Sequence, residues 1–205
     1  MPDRSIPSPV TTTAIVLAGG AGRRMGGREK GLLPFAGRPL VTHVIETLSR
    51  QAAEVIVSAN RHLEAYRRFG NPVVRDTLEG LQGPLAGILA AGESASHPWL
   101  LVAPCDVPGL PDDLLERLAR GILRQDARLA AAHDGNRLHP TVLLLHRPLL
   151  DEIRHDLERG DRQVIRFLRR HGCAEVDFGD RADALANINT PEELARLERR
   201  WKNEP

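Results

Sequence analysis

The sequence predicts an α/β fold in which a mostly parallel, mixed sheet carries helices on both faces. Continuous apolar runs, such as residues 13–18, are typical of buried strands, because a half-exposed strand would alternate apolar and polar positions. Stretches with apolar residues at helical spacing, such as 41–52, lie between these runs. Strands that alternate with helices at this pitch form a parallel sheet. A chain of 205 residues is long enough for a single domain with a substantial core.

The first half of the chain contains four predicted strands, each followed by a helical stretch. The strands are expected at residues 13–18, 55–59, 73–76 and 99–103. The helices are expected over residues 41–52, 61–69 and 85–95, and from Pro111 onward. Folds of this class bind their ligands outside the carboxyl ends of the strands. Polar residues at those ends are therefore the candidate functional residues.

The second half is less regular and predicts a hairpin followed by more helices. Two strands, 128–133 and 138–146, are joined through Asp134, Gly135 and Asn136, which are typical turn residues. Further helices are expected near 148–158 and 162–170, and a strand at 174–178. The last helix has a strong start signal, because Thr190 can cap it, Pro191 suits its first turn and Glu193 completes a capping box.

The amino terminus is predicted to be a flexible tail. Residues 1–11 contain three prolines and no apolar run, so they resemble neither a signal peptide nor a membrane anchor. Residues 12–205 are predicted to form one domain. No stretch approaches the roughly 18–20 apolar residues of a spanning helix, so no membrane partner is expected.

Composition excludes several function classes. The 28 basic and 27 acidic residues give a net charge of +1, which provides no chain-wide field for nucleic acid or anionic lipid. Aromatic residues make up only 3% of the chain, too few for an extended base-stacking surface. Cys105 and Cys173 form neither a metal-binding spacing nor a disulfide framework. A reducing compartment, the cytoplasm, is the simplest interpretation.

A glycine-rich, basic loop follows the first strand and predicts a polyphosphate site. Five glycines lie between residues 19 and 27, where backbone N–H groups can converge on an anion. Arg24 and Lys30 belong to a group of five basic residues in 22–38, against Glu29 alone. Lys30 is one of only two lysines in an arginine-rich chain, which suggests that a compact point charge is needed there. The spacing fits neither a Walker A loop nor a dinucleotide fingerprint.

Five further candidates lie at or near the ends of the other first-half strands. Asp106 follows a buried strand and is the candidate Mg²⁺ ligand, because magnesium takes one or two carboxylates together with phosphate oxygens. Asp76 could contact a base or ribose, or could form a turn. Ser58 and Asn60 could bind a base edge or cap the next helix. Gly83 starts a helix, where an anion or base could lie close, although packing explains it as well.

The sequence offers no protein nucleophile, which favours nucleotidyl transfer. No Ser-His-Asp set, reactive cysteine or zinc cluster emerges from the pattern. In nucleotidyl transfer a substrate phosphate oxygen attacks the α-phosphorus of a nucleoside triphosphate and pyrophosphate leaves. The protein then contributes positioning and positive charge. A noncatalytic nucleotide-binding module is the alternative from another class, and Lys30 and Asp106 together argue against it.

Six motifs, in this order and spacing, resemble the molybdenum cofactor guanylyltransferase (MobA) family over residues 13 to the end. They are LAGG at 17–20 continuing through RMGGREKGLL at 24–33, SANR at 58–61, GPLAG at 83–87, PCD at 104–106, HPT at 139–141 and NINTPEEL at 187–194. The resemblance implies a single domain of the nucleotidyltransferase (Rossmann-like) type. It also implies a reaction in which GTP and molybdenum-loaded molybdopterin give molybdopterin guanine dinucleotide and pyrophosphate.

The resemblance also implies residue roles. The nucleotide would contact Leu17, Ala18, Gly19, Gly20, Lys30, Ser58, Asn60, Asp76, Gly83 and Asp106. Arg24 and Lys30 would hold the triphosphate and Asp106 would hold Mg²⁺, so these three form the catalytic set. The second half would largely bind the pterin, through His139, Asn187 and Asn189. Proteins that insert molybdenum and chaperones of molybdoenzymes are the implied further partners.

Two departures from the family pattern and two close alternatives stand beside this interpretation. Glu29 replaces the usual Asp before the loop lysine, and Ser58 replaces the first Asn of an Asn-Ala-Asn run. The second departure leaves open whether Ser58 or Asn60 contacts the nucleotide. The close alternatives are a molybdopterin cytidylyltransferase and a sugar-phosphate nucleotidyltransferase. Gly19 and Gly20 favour GTP over CTP, because a purine needs a closer approach of the backbone.

Overall fold

The computed structural model describes residues 6–18, 29–76 and 83–201 and has one central sheet of seven strands. The strands of this sheet are β1 (Thr12–Leu17), β4 (Glu54–Ser58), β5 (Val73–Val74), β6 (Trp99–Pro104), β7 (Leu129–His133), β8 (Leu138–His146) and β9 (Ala174–Asp177). Two short strands, β2 (Pro34–Phe35) and β3 (Arg38–Pro39), form a separate antiparallel ribbon.

The central sheet is mixed, as predicted. Its order is β5-β4-β1-β6-β8-β7-β9, and only β8 runs antiparallel to its neighbours. The carboxyl ends of β5, β4, β1 and β6 therefore meet at one edge, and β8 begins at that same edge. This arrangement brings the predicted strand-end residues together.

Seven α-helices connect the strands among the described residues. They are α1 (Leu40–Ser49), α2 (Leu63–Arg67), α3 (Pro84–Glu93), α4 (Leu114–Gln125), α5 (Leu150–Glu158), α6 (Val164–Arg170) and α7 (Pro191–Trp201). None of the helices in this part of the chain is both long and apolar enough to cross a membrane.

Both faces of the sheet are covered, because successive residues of a strand point to opposite sides. Val16 packs into the core that α1 and α4 cover, whereas its neighbour Ile15 packs into the core beneath α3, α5 and α6. All residues from Thr12 to Val16 are buried. A third, smaller core joins the β2–β3 ribbon to α7 through Phe35, Leu40 and Ile188.

Most predicted elements are confirmed with shifts of one to three residues at their ends. The hairpin is present, with Gly135 at φ +87° in its turn, a conformation that favours glycine. The capping box of α7 is also present: the Glu193 carboxylate accepts the Thr190 N–H (3.1 Å), and the Glu193 N–H donates to the Thr190 hydroxyl (3.2 Å).

Four segments differ from the expectation or extend it. Strand β5 has two residues instead of the four predicted, and it lies at the edge of the sheet. The β2–β3 ribbon and the 3-10 segment Gly179–Leu185 were not predicted. Within the predicted tail, residues 1–5 lie outside the described part of the chain, and Pro9–Thr11 form a 3-10 turn just before β1.

Candidate active site

The predicted residues meet at the carboxyl edge of the parallel strands. Leu17 is the last residue of β1 and Ala18 follows it, and backbone hydrogen bonds tie this end to both neighbouring strands. The Ala18 N–H donates to the Ser58 carbonyl (2.8 Å), and the Cys105 N–H donates to the Leu17 carbonyl (3.0 Å). Gly19, Gly20 and Arg24, which the sequence places in the phosphate loop, lie outside the described residues.

At the centre of this edge is a cluster of four polar side chains. The Lys30 ammonium donates to Asp106 Oδ2 and to Asn189 Oδ1, each at 2.7 Å. The Asn187 amide donates to the other carboxylate oxygen, Asp106 Oδ1, at 3.1 Å. The structure thus brings together residues that are 76, 81 and 159 positions apart in the sequence.

The backbone between the two asparagines explains why both point into the cluster. The Ile188 N–H donates to the Asp106 carbonyl (2.9 Å), and the Ile188 side chain is buried in the core beneath α7. Asn187 and Asn189 flank this anchor and contact Asp106 and Lys30 respectively. The capping box at the start of α7 holds the same segment, since Glu193 also accepts the Asn189 N–H (2.6 Å).

The cluster fits a magnesium site that substrate phosphates would complete. Asp106 has a mostly buried side chain, 12% exposed, at the end of β6. Within residues 6–18, 29–76 and 83–201, no group of three His, Cys, Asp or Glu side chains could hold a metal by itself. Magnesium in nucleotide enzymes typically needs only one or two carboxylates, because phosphate oxygens and waters supply the other ligands. Asp106 satisfies that requirement.

A second polar pair, Asn60 and Asp76, lies at the ends of β4 and β5. The Asn60 amide donates to Asp76 Oδ2 (2.8 Å), and the Asp76 N–H donates to Asn60 Oδ1 (3.0 Å). Burial raises the pKa of the Asp76 carboxyl, and the Asn60 hydrogen bond and Arg75 oppose this shift. Asp76 Oδ1 is buried and has no hydrogen-bond partner among the described residues. It is an acceptor that an N–H or O–H group of a ligand could satisfy.

Ser58 and Asn60 occupy different environments. The Ser58 side chain is buried against α3, and its hydroxyl lies 2.7 Å from the position that a Cβ on Gly87 would take. Glycine at position 87 is therefore required by close packing. Asn60, which is less buried, holds the Asp76 carboxylate instead.

Gly83 marks a contact that the sequence reasoning missed. Its φ of +135° is one that residues with a side chain rarely adopt, and it caps the start of α3. A Cβ here would lie 3.9 Å from the Arg162 carbonyl, so the α5–α6 loop reaches this edge of the sheet. In the sequence, the Gly160-Asp161 pair before Arg162 is typical of a turn, but it does not indicate that this turn reaches Gly83.

His139 stabilises the turn between β7 and β8 by contacting Asp134. Its Nε2 lies 2.7 Å from Asp134 Oδ2, and Asp134 Oδ1 accepts the N–H groups of Asn136 and Arg137. Burial would raise the pKa of Asp134, but the hydrogen bonds from His139 and the two backbone N–H groups outweigh it and hold this pKa well below its usual range. The His139 hydrogen bond goes to the turn and not to Asn187 or Asn189, although β8 starts at the same edge.

Comparisons with known proteins identify the family. The model of the MobA-like NTP transferase domain matches residues 14–176. A molybdenum cofactor guanylyltransferase of Shewanella sediminis is 41% identical over 184 residues, which cover 90% of this chain and 94% of that protein. The molybdenum cofactor guanylyltransferase of Photobacterium profundum is 42% identical over 192 residues, which cover 94% of this chain and 98% of that protein. The chain belongs to the molybdenum cofactor guanylyltransferase family. It is therefore a nucleotidyltransferase.

A solved structure supports the fold of this family. The molybdopterin-guanine dinucleotide biosynthesis protein A of Archaeoglobus fulgidus superposes with a TM-score of 0.78. The match covers 94% of this chain and all of that one, at 23% identity. The predicted nucleotidyltransferase fold is thus confirmed.

Proposed function

We propose that this member of the family transfers GMP from GTP to molybdenum-loaded molybdopterin in a Mg²⁺-dependent reaction. A phosphate oxygen of the pterin substrate attacks the α-phosphorus of GTP, the bond from that phosphorus to the bridging oxygen breaks, and pyrophosphate leaves. The observation that carries the proposal is the cluster of Lys30, Asp106, Asn187 and Asn189. It joins the end of the glycine-rich loop to the segment before α7, where the two substrates would have to meet.

Lys30 is the proposed phosphate-binding cation. Its side chain is 17% exposed, and the residue follows the glycine-rich loop. A fixed positive charge in a partly dehydrated site stabilises the negative charge that develops on the leaving pyrophosphate. Lys30 would exchange its bond to Asp106 for bonds to phosphate oxygens when GTP binds. Arg24 would assist from the loop.

Asp106 is the proposed magnesium ligand. Asp106 would hold the ion through its carboxylate, and a bound Mg²⁺ would supply positive charge that offsets the negative charge of the triphosphate. Asp106 is suited to this because both of its oxygens already lie at the junction of the loop and the α7 segment. Asn187 orients the carboxylate through Oδ1.

The base and ribose are proposed to bind along the ends of β1, β4 and β5. Leu17, Ala18 and the following glycines would contact the guanine and ribose. Asp76, held by Asn60, offers a carboxylate oxygen without a partner among the described residues. Guanine N–H groups and ribose hydroxyls are both donors that this oxygen could accept. Ser58 would support this wall through its contact with α3.

The pterin side is proposed to include Asn187, Asn189 and the His139 hairpin. We place the reaction in the cytoplasm, in agreement with Cys105 and Cys173 both being free thiols. Molybdenum-insertion proteins and molybdoenzyme chaperones remain expected partners from the resemblance.

The test is pyrophosphate release with molybdenum-loaded molybdopterin and each of GTP, CTP, ATP and UTP, with and without Mg²⁺. We expect release with GTP and Mg²⁺ only, and its loss in Asp106→Asn. Asp112→Asn is a matched control, because Asp112 is 75% exposed by side-chain area and pairs with Arg50 away from the cluster. Preferred turnover of CTP would support a cytidylyltransferase, and no turnover with any nucleotide would support the noncatalytic alternative.

A further inference from the structure

A buried carboxylate lies directly before Lys30. The Glu29 side chain is 5% exposed, and a carboxylate buried to this extent needs compensating partners. The Tyr66 hydroxyl donates to Glu29 Oε1 at 3.0 Å. The guanidinium of Arg61 lies 3.7 Å from Glu29 Oε2. Both partners come from the segment that follows β4, so this segment holds the end of the glycine-rich loop.

Tyr66 anchors α2 in the core and directs its hydroxyl at Glu29. It is fully buried and is the only buried residue of α2. Burial, reinforced by the nearby Cys105 and Glu29, raises the pKa of the phenol far above its usual range. The hydroxyl therefore remains a donor at any working pH. A Phe at this position would fill the same apolar space but would leave Glu29 Oε1 without its donor.

Gly31 allows the phenol to reach this position. A Cβ on Gly31 would lie 2.6 Å from the Tyr66 hydroxyl oxygen and 3.3 Å from Cys105 Sγ. The backbone of the loop end therefore passes directly over the phenol. The same backbone is closed into a 3-10 turn, in which the Leu32 N–H donates to the Glu29 carbonyl (3.1 Å). Residues 29 and 31 are thus both fixed by Tyr66, and Lys30 lies between them.

We propose that Tyr66 is a positioning residue for Lys30 and that it acts through Glu29. Lysine has a long side chain with several freely rotating bonds, so the direction of its ammonium depends on how firmly its backbone is held. The hydrogen bond to Glu29 and the contact beneath Gly31 hold that backbone, and the ammonium then reaches Asp106 and Asn189. The inference rests on the proposed role of Lys30 in phosphate binding.

The test is a double-mutant cycle of Tyr66→Phe and Lys30→Met. The readouts are kcat and KM for GTP in pyrophosphate release at saturating molybdenum-loaded molybdopterin and Mg²⁺, with thermal denaturation measured in parallel. A misplacement of about 1 Å costs up to ~100-fold in rate, so we expect Tyr66→Phe to lower kcat by about tenfold. In the Lys30→Met background we expect Tyr66→Phe to change kcat by less than about twofold, because there is no ammonium left to position.

Two further variants separate positioning from general stability. Glu29→Gln keeps an acceptor for the Tyr66 hydroxyl, so its kcat should be much closer to wild type than that of Glu29→Ala. Glu64→Gln is the matched control, since Glu64 lies on the same short helix with an 81% exposed side chain. It should leave kcat and the melting temperature unchanged.

The outcomes are distinguishable. An equal fold loss from Tyr66→Phe in both backgrounds would overturn the inference, because a purely structural effect does not depend on Lys30. A Tyr66→Phe variant with the kcat of the Glu64→Gln control would overturn it as well. Wild-type turnover by Lys30→Met would overturn the proposed role of Lys30 and the inference with it. If Lys30→Met turns over too slowly to assay, the same four proteins are compared by the rise in melting temperature that GTP and Mg²⁺ induce in each. The double-mutant cycle is then calculated from these shifts.

Discussion

The ion pair between Lys30 and Asp106 allows a test of the site that needs no substrate. Removing one partner of a fully buried ion pair costs about 3–5 kcal/mol, whereas an exposed pair contributes about 0–1 kcal/mol. The side chains here are 17% and 12% exposed, between these limits but nearer the buried one. We therefore expect Lys30→Met to lower the free energy of unfolding by about 2 kcal/mol. Asp106→Asn should cost a similar amount, because it leaves the ammonium without its anion.

The informative quantity is the coupling between the two substitutions. At roughly 2–4 °C per kcal/mol for a chain of this size, each single variant should melt about 4–8 °C below wild type. The double variant should lose clearly less than the sum, by at least ~1 kcal/mol, because no unpaired charge remains. Thermal and urea denaturation in the absence of nucleotide measure all four proteins. Additive losses would refute the reasoning, since they would mean that the two charges do not interact in the unliganded protein.

Three further predictions follow from individual contacts. Gly31→Ala should cost about 1–3 kcal/mol by overpacking against the Tyr66 hydroxyl, and adding Tyr66→Phe should not lower stability further, as denaturation of both variants would reveal. GTP at ~100 times its Kd should raise the melting temperature by about 5–11 °C in the presence of Mg²⁺. Asp106→Asn should abolish the part of this rise that depends on Mg²⁺. A Mg²⁺-dependent rise as large as that of wild type would exclude Asp106 as the metal ligand. The pKa of Asp134 is lowered in the folded state, so its contribution to stability is complete above the ordinary value of 3.8 and is lost as the pH falls towards the lowered one. Asp134→Asn should therefore flatten the decline of stability below about pH 4, and a decline as steep as that of wild type would contradict the assignment.

The fold was largely predictable because burial on both faces leaves a clear signal in the sequence. Continuous apolar runs gave β1, β4 and β6 to within one or two residues. The β2–β3 ribbon gave no such signal, because it turns on Ala36 and Gly37 with φ values of +48° and +82° and has no periodicity. The 3-10 segment Gly179–Leu185 also has no apolar periodicity, so the sequence pattern did not predict it.

The candidate site was predictable only where topology determines it. Asp76 and Asp106 lie just beyond the carboxyl ends of parallel strands, so their presence at one edge follows from the strand pattern alone. The bond between Lys30 and Asn189 joins residues 159 positions apart. The family resemblance assigned Lys30 to the triphosphate and Asn189 to the pterin side, but it did not predict that the two side chains are in contact. Tyr66 was missed because an aromatic residue in a short helix is typical of any core. Its role becomes visible only when its hydroxyl is found on Glu29.

The most direct test of the central claim is the mass of the product formed from molybdenum-loaded molybdopterin in an equimolar mixture of GTP and CTP with Mg²⁺. We expect a pterin product heavier by a guanylyl group (GMP less one water), one pyrophosphate for each product molecule, and loss of both in Asp106→Asn but not in Asp112→Asn. A product heavier by a cytidylyl group would contradict the choice of nucleotide. An unmodified pterin, with a chain that remains folded and binds GTP, would contradict the transfer itself.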